Sequence, residues 1–424
     1  MAKTITGKQV GDSYYQVEHP SGLTVLLYPK EHCSTTYAIF GTRYGSIDNC
    51  FQRSDEAGPE SVPEGIAHYL EHKLFESEEG DAFERFSKTG ASANAFTSFE
   101  STCYLFSTTD QVYQSLEILL DFVQSPHFTE ETVRKEQGII GQEIKMYDDD
   151  PQWRVMFNYL KAMYHSHPIR EDIAGTVESI AKITPELLYR CYNTFYNLGN
   201  MVLAIAGNFQ VDKALAVCDK MLKPAAPVTV QRVFPQEPDT IVQPVVEERL
   251  SVASPLFQFG FKEPGADQLR SEKDVAATEV LLETLASDAS PLFRRLLDQG
   301  LVNESSFSYE YFEGNGYATV MFSGESKDPQ AVAQAILEEV ERFQREGIPA
   351  EAFERSKRAL YGELVAALNS TGSIANGLVN MHLKGRELFT YIDSLASLRL
   401  EDGEERLRKV FQRERSVLSV ILPH

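Results

Sequence analysis

Two apolar runs, MVLAIAG at 201–207 and SVLSVIL at 416–422, close two stretches of chain in which strand and helix patterns follow the same order. A run of seven residues with almost no polar alternation reads as a strand covered on both faces. In the first stretch, residues 14–45 alternate and turn at Pro20-Ser21-Gly22, which predicts a hairpin. Helical patterns follow at 64–76, 110–124 and 129–149, with a Thr-, Ser- and aromatic-rich strand pattern at 92–106. A long helical region at about 152–198 is interrupted near His167-Pro168. The second stretch runs from a strand at 256–261 to a helix at 273–287. A strand at 318–324, long helices and the closing run complete it. A repeated order of this kind predicts two similar α/β domains of roughly 200 residues. Between them, five prolines from Pro224 to Pro244 mark an extended linker. The expected divisions are 1–223, 224–245 and 246–424.

A chain of 424 residues can bury two such cores. Its 40 basic and 62 acidic side chains leave a net charge of −22, which argues against a nucleic-acid partner. No run approaches the ~18 apolar residues of a membrane span, and the first residues lack the apolar core of a signal peptide. The five cysteines are scattered, the nearest two being Cys33 and Cys50, and no Cys-x-x-Cys unit exists. Neither a disulfide framework nor a thiolate metal site is expected, and the chain reads as cytoplasmic.

The chemistry concentrates at His68-Tyr69-Leu70-Glu71-His72. Histidines four apart on a helix share a face, so two imidazoles can reach one metal. Glu71 projects toward the same pole. Hydrolytic zinc needs three protein ligands, an open position and a base for the water's proton. This order of residues is the inverzincin pattern; two histidines on a surface helix would show the same five letters. A third ligand should be an acid from another helix. In 129–151, Thr129 stands as an N-cap, and Glu136 and Glu143 are seven apart, so they project from one face. Ile139 and Ile140 place that face toward the interior, where a carboxylate needs a partner. An exposed glutamate on a charged helix is the other reading.

Gly65 through His72, continuing Lys73-Leu74-Phe75, resembles the signature of the pitrilysin/insulinase metallopeptidases. Lys135-Glu136, Ile139, Ile140 and Glu143 are similar to that family's second motif. The resemblance implies an α+β chain of two similar α/β-roll domains, each a mostly antiparallel sheet packed with helices, arranged like a clamshell. It implies one zinc per chain on His68, His72 and Glu143, with Glu71 as base and Glu136 steadying the site. Gly90-Ala91, Asn94 through Thr97 and Thr102 to Tyr104 resemble the family's substrate-binding edge strand, where a peptide adds as a further strand. Asn94, Ala95 and Thr97 are the substrate-binding residues so implied. The expected activity is a zinc endopeptidase for peptides or short unfolded segments. Its N-terminal domain is catalytic and its C-terminal domain binds no zinc.

One departure qualifies this. Homologues with a complete site carry an arginine and a tyrosine in the second domain, within Ser-Ser-Arg-Leu-Phe and Gly-Leu-x-Tyr. Here those positions are Pro291 and Asn303, with Arg294, Arg295 and Tyr309 displaced in register. Bacterial members that work as two different chains divide the zinc motif from the Arg/Tyr pair. The resemblance therefore implies a heterodimer in which a homologous chain supplies that pair, in preference to a homodimer. The nearest subgroup resembles bacterial proteins associated with aminopentanol modification of elongation factor P. The competing reading is a non-catalytic assembly subunit with a structural or vestigial zinc site. His165 and His167 alternate along the chain and do not face one metal. His19, His32, His127, His382 and His424 are isolated and read as structural, and Gly314-Asn315-Gly316 reads as a turn.

Overall fold

The computed structural model describes residues 2–77, 80–226, 228–265 and 269–424. They form two compact units that interleave along the chain. The first comprises Met1–Ile144, Glu171–Val233 and Val365–Phe389, and the second Lys145–Arg170, Phe234–Leu364 and Thr390–His424.

The first unit is built on a seven-stranded sheet. Its strands are β1 (Lys3–Gly7), β2 (Asp12–Glu18), β3 (Thr24–Pro29), β4 (Thr36–Thr42), β5 (Ser92–Thr97), β6 (Thr102–Thr108) and β7 (Met201–Gly207). Their spatial order is β1-β2-β3-β7-β4-β6-β5. The β2–β3 hairpin closes where the sequence places it, with Gly22 at φ 93, a left-handed conformation that favours glycine. β7 is buried at every position, parallel to β3 and antiparallel to β4. That central place is why its sequence is a continuous apolar run. At the other end, among the described residues, β5 pairs only with β6 and leaves an open edge.

The second unit repeats the plan with β8 (Val245–Leu250), β9 (Leu256–Lys262), β10 (Ser308–Gly314), β11 (Tyr317–Glu325) and β12 (Ser416–Pro423). The order β8-β12-β9-β11-β10 reproduces β3-β7-β4-β6-β5, with its single parallel pair, β8–β12, in the matching place. Each unit is thus a mostly antiparallel sheet packed with helices. Asn315-Gly316 forms the expected turn between β10 and β11, with Gly316 at φ 84.

Four helices carry the argument: α1 (Ile66–Leu74), α2 (Glu130–Asp148), α3 (Pro151–Met163) and α4 (Thr371–Leu383). α4 packs on β4 and β7 of the first sheet. Gly41 permits the approach, since a Cβ there would lie 2.9 Å from Val379 Cγ1. α3 packs on β8, β9 and β12 of the second sheet. Val155 joins Leu256 and Ile421 in the core, and the Tyr159 hydroxyl lies 2.6 Å from Thr319 Oγ1. Each sheet therefore takes one covering helix from the opposite half of the sequence. The long helical region expected at 152–198 is three helices, since the loop after Met163 and a 3-10 turn at Pro168–Arg170 break it.

The proline-containing stretch is extended and tied down at both ends. In the first unit Val230–Arg232 pairs with Cys50–Arg53, and Arg232 donates to Asp48 at 2.6 Å. Burial drives the Asp48 carboxyl above its usual range, against the pull of Arg232. In the second unit Glu237 accepts the N–H groups of His165, Ser166 and His167 and pairs with Lys262 at 2.6 Å. Pro227 lies outside the described residues.

Candidate metal centre

α1 starts at Gly65, whose φ of 85 is left-handed; a Cβ there would lie 2.3 Å from Ala174 O. The helix buries Ile66, Ala67, Tyr69, Leu70 and Leu74. Tyr69 then donates to Val133 O and moors α1 against α2. α2 begins where the sequence predicts, with Thr129 Oγ1 accepting the Thr132 N–H at 3.2 Å. It buries Val133, Ile140 and Ile144, whereas Ile139 is 49% exposed. The expectation that Ile139 faces inward is therefore corrected. Adjacent helical residues point about 100° apart, so only one of the two isoleucines can centre on the core. The core takes Ile140, and the Glu136–Glu143 face runs along its border.

That border faces α1. His68 Nε2 lies 3.7 Å from Glu143 Oε1 and His72 Nε2 lies 3.4 Å from Glu143 Oε2. The ligand atoms of His68, His72 and Glu143 all fall within 4.8 Å of one another, the one such cluster among the described residues. Two atoms bound tetrahedrally to a single zinc at ~2.0–2.1 Å stand about 3.3 Å apart, so modest closure brings all three into contact with the ion. Two imidazole nitrogens and a carboxylate aimed at one point form a cation site, and these residues fit one zinc ion. The His72 ring is oriented by Glu136, whose Oε1 lies 3.1 Å from Nδ1, freeing Nε2 for the metal. His68 Nδ1 is buried with no hydrogen-bond partner among the described residues, so that ring is set by packing and by its Nε2 beside Glu143.

Electrostatics follow from burial and pairing. Burial, helped by the neighbouring His72, pulls His68 down to about 4 and keeps it neutral, the form that binds metal. Burial also opposes charge on His72, but the Glu136 hydrogen bond and the Glu143 carboxylate outweigh it and raise its pKa. Glu136 is half-buried, which opposes its charge, yet its bond to His72 holds it below the usual carboxylate range. Glu71 goes the other way, because burial raises it and the Thr97 hydroxyl, donating to Oε2 at 2.6 Å, offsets only part. A carboxyl raised in this way suits the accepting and returning of a proton.

Thr97, Ala95 and Asn94 lie on β5, the edge strand, with Asn94 Oδ1 accepting the Ala95 N–H at 2.9 Å. Two contributors escape sequence reasoning: the Tyr69 mooring and the Thr97–Glu71 contact. Both depend on which distant segment comes alongside.

The second unit gives its departure residues structural work. Pro291 is the first residue of a helix capped by Ser290. Asn303 Oδ1 accepts from the Ser305 and Ser306 N–H groups, an Asx turn. Arg294 is exposed, Arg295 donates to Ala335 O at 3.0 Å, and Tyr309 donates to Glu283 at 2.5 Å. Among the described residues no helix is long and apolar enough to cross a membrane.

Comparison with known proteins agrees with this geometry. The family model described as insulinase (peptidase family M16) matches residues 60–177, and that described as peptidase M16 inactive domain matches 182–360. An uncharacterized zinc protease of Bacillus subtilis strain 168, YmfH, is 39% identical over 428 residues, covering 100% of both chains. The crystal structure of an M16-like peptidase from Alicyclobacillus acidocaldarius superposes with a TM-score of 0.92 at 36% identity, over 100% of this chain and 98% of that one. A Helicobacter pylori protease shares the fold at 19% identity and a TM-score of 0.79, over 100% and 99% of the two chains.

Proposed function

Because the chain belongs to the insulinase family, peptidase family M16, we propose that it is the zinc-bearing, catalytic half of a two-chain endopeptidase. Its zinc-dependent peptidase site is formed by the convergence of His68, His72 and Glu143 beside Glu71, the observation that carries the reading. Zinc, when bound, supplies a Lewis acid that acidifies water and polarises the scissile carbonyl. The protein's own residues do the rest. His68, His72 and Glu143 hold the ion, and Glu136 keeps the His72 ring turned toward it. Glu71 takes a proton from the attacking water and returns it to the leaving amine. Asn94, Ala95 and Thr97 receive the peptide as an added strand on the β5 edge.

The need for a second chain rests on Pro291 and Asn303, which stand where an arginine and a tyrosine would meet the developing oxyanion. In this reading 1–223 carries the catalysis, 224–245 links, and 246–424 contributes no metal ligand. On resemblance alone we place the chain in the bacterial cytoplasm, with the proteins associated with aminopentanol modification of elongation factor P. The test is zinc analysis with a fluorogenic-peptide assay on the purified chain, with and without co-expressed neighbouring gene products. Zinc-dependent cleavage abolished by Glu71→Gln is the expected result. Zinc bound without cleavage under any pairing would favour a non-catalytic assembly subunit.

A further inference from the structure

The hairpin joining β5 to β6 fixes more than a docking edge. Ser98 N–H donates to Ser101 O at 2.8 Å, which makes 98 and 101 a hydrogen-bonded pair. In an antiparallel ladder bonded and non-bonded pairs alternate. Thr97 opposite Thr102 and Ala95 opposite Tyr104 are therefore non-bonded pairs, so the N–H and C=O groups of Thr97 and Ala95 point away from β6, toward the open edge. The Ala95 N–H agrees, since it bonds to the Asn94 side chain and not to β6. Thr97 thus offers its main chain to the edge while its side chain crosses to the catalytic face, where Oγ1 donates to Glu71 Oε2 at 2.6 Å. Thr102 backs this arrangement. Its fully buried hydroxyl lies 3.3 Å from Thr97 Oγ1 and donates its own proton to Tyr44 O at 2.9 Å.

We infer that Thr97 is a positioning residue: its hydroxyl pins one oxygen of the Glu71 carboxylate and leaves the other directed at water. The inference rests on the peptidase reading and deepens it. One residue ties the strand that receives the peptide to the base that attacks it, so docking the substrate sets the position of the base. A side chain of the same shape without the hydroxyl keeps the strand and leaves the carboxylate only its weaker contact with the Thr97 main-chain N–H.

The test compares the zinc-loaded full chain, with its partner if one is required, as parent, Thr97→Val and Thr97→Ser. Crystal structures should show Glu71 in one orientation in the parent and in Thr97→Ser, and displaced or in several rotamers in Thr97→Val. In a peptide assay Thr97→Val should keep its zinc and hold KM within about 2-fold while kcat falls about 10-fold or more, as for other residues that orient a site group. Thr97→Ser should recover kcat to within about 3-fold of the parent. An unmoved Glu71, a change in KM alone, or serine as impaired as valine would overturn the assignment. So would loss of zinc in Thr97→Val, which would make Thr97 structural. If the parent cleaves nothing under any pairing while Glu71 still follows the hydroxyl, the peptidase reading falls and the positioning role stands.

Discussion

Glu71, held by Thr97, and His72, held by Glu136, lie side by side, and substitution should separate the roles of these groups by readout. Glu71→Gln keeps the shape and the Thr97 contact but cannot take a proton. Turnover should fall by on the order of 10²–10⁴ with zinc content unchanged, and a variant retaining more than a tenth of parent activity would remove Glu71 as base. His68→Ala and Glu143→Gln each delete a ligand, so zinc should be lost on dialysis; one equivalent retained would strike that residue from the ligand set. Glu136→Gln stands between these extremes, because it removes a charge-assisted bond to His72 Nδ1 and leaves all three ligands. Competitive chelator titration should give a zinc affinity about 10–100-fold weaker, and unchanged affinity would reduce Glu136 to a bystander. Which glutamate would hold the ion came from the family resemblance, whereas the sharing of a face by His68, Glu71 and His72, and by Glu136 and Glu143, was legible from spacing, because helical periodicity settles it. Ile139 was not, since adjacent isoleucines look equivalent until the core accepts one of them. Nor was the Thr97 contact, which depends on β5 lying against α1.

At the scale of elements, two buried polar clamps brace the second unit, the first of them on the proline-containing stretch. Lys262 on β9 is 3% exposed; besides Glu237, its Nζ has Met163 O, Pro238 O and Thr240 O within hydrogen-bond reach at 3.1, 2.7 and 2.9 Å, four acceptors around three N–H groups. Removing Glu237 strands a buried ammonium and frees three N–H groups together. Glu237→Ala should cost on the order of 3–5 kcal/mol in urea unfolding, and a loss below about 1 kcal/mol would show that the clamp is ornamental. The second clamp is His167, with Nε2 2.9 Å from Asn315 O and Nδ1 accepting the Ile169 N–H. Burial pulls it down to about 4. Between ~6.5 and 4 the unfolded chain takes up a proton that the folded chain refuses, so stability falls as pH drops through that window. The stability gap between parent and His167→Gln should narrow by on the order of 3 kcal/mol from pH 7 to pH 4, and a pH-independent gap would refute the linkage. Strand patterns such as MVLAIAG and the Pro20-Ser21-Gly22 turn were readable because their local chemistry has one solution. The exchange of α3 and α4 was not readable, because an amphipathic helix does not record which sheet it will cover. β1 was missed because an edge strand with polar alternation resembles a loop.

For the whole molecule, the repeat implies a division of labour. Both units use the same strand order, yet only the first carries metal ligands among the described residues. In the second, Pro291 starts a helix and has no side-chain donor, and Asn303, its Oδ1 held in an Asx turn, has a short amide in place of a phenol's reach and acidity. Arg295 and Tyr309, the displaced candidates, already donate to Ala335 O and Glu283. Oxyanion donors are worth about 3 kcal/mol or more, equivalent to a factor of 10² or greater in rate. The purified chain should therefore bind one zinc and cleave a fluorogenic peptide slowly. A homologous chain carrying the Arg/Tyr pair should raise kcat/KM by about 10² or more while zinc content stays the same. Alanine at that arginine in the added chain should return the rate to the basal value, which separates donation of a side chain from simple stabilisation by a partner. If the chain alone already works at the rate of the pair, the second unit must supply its own donors, and Arg294, being exposed, becomes the first position to substitute.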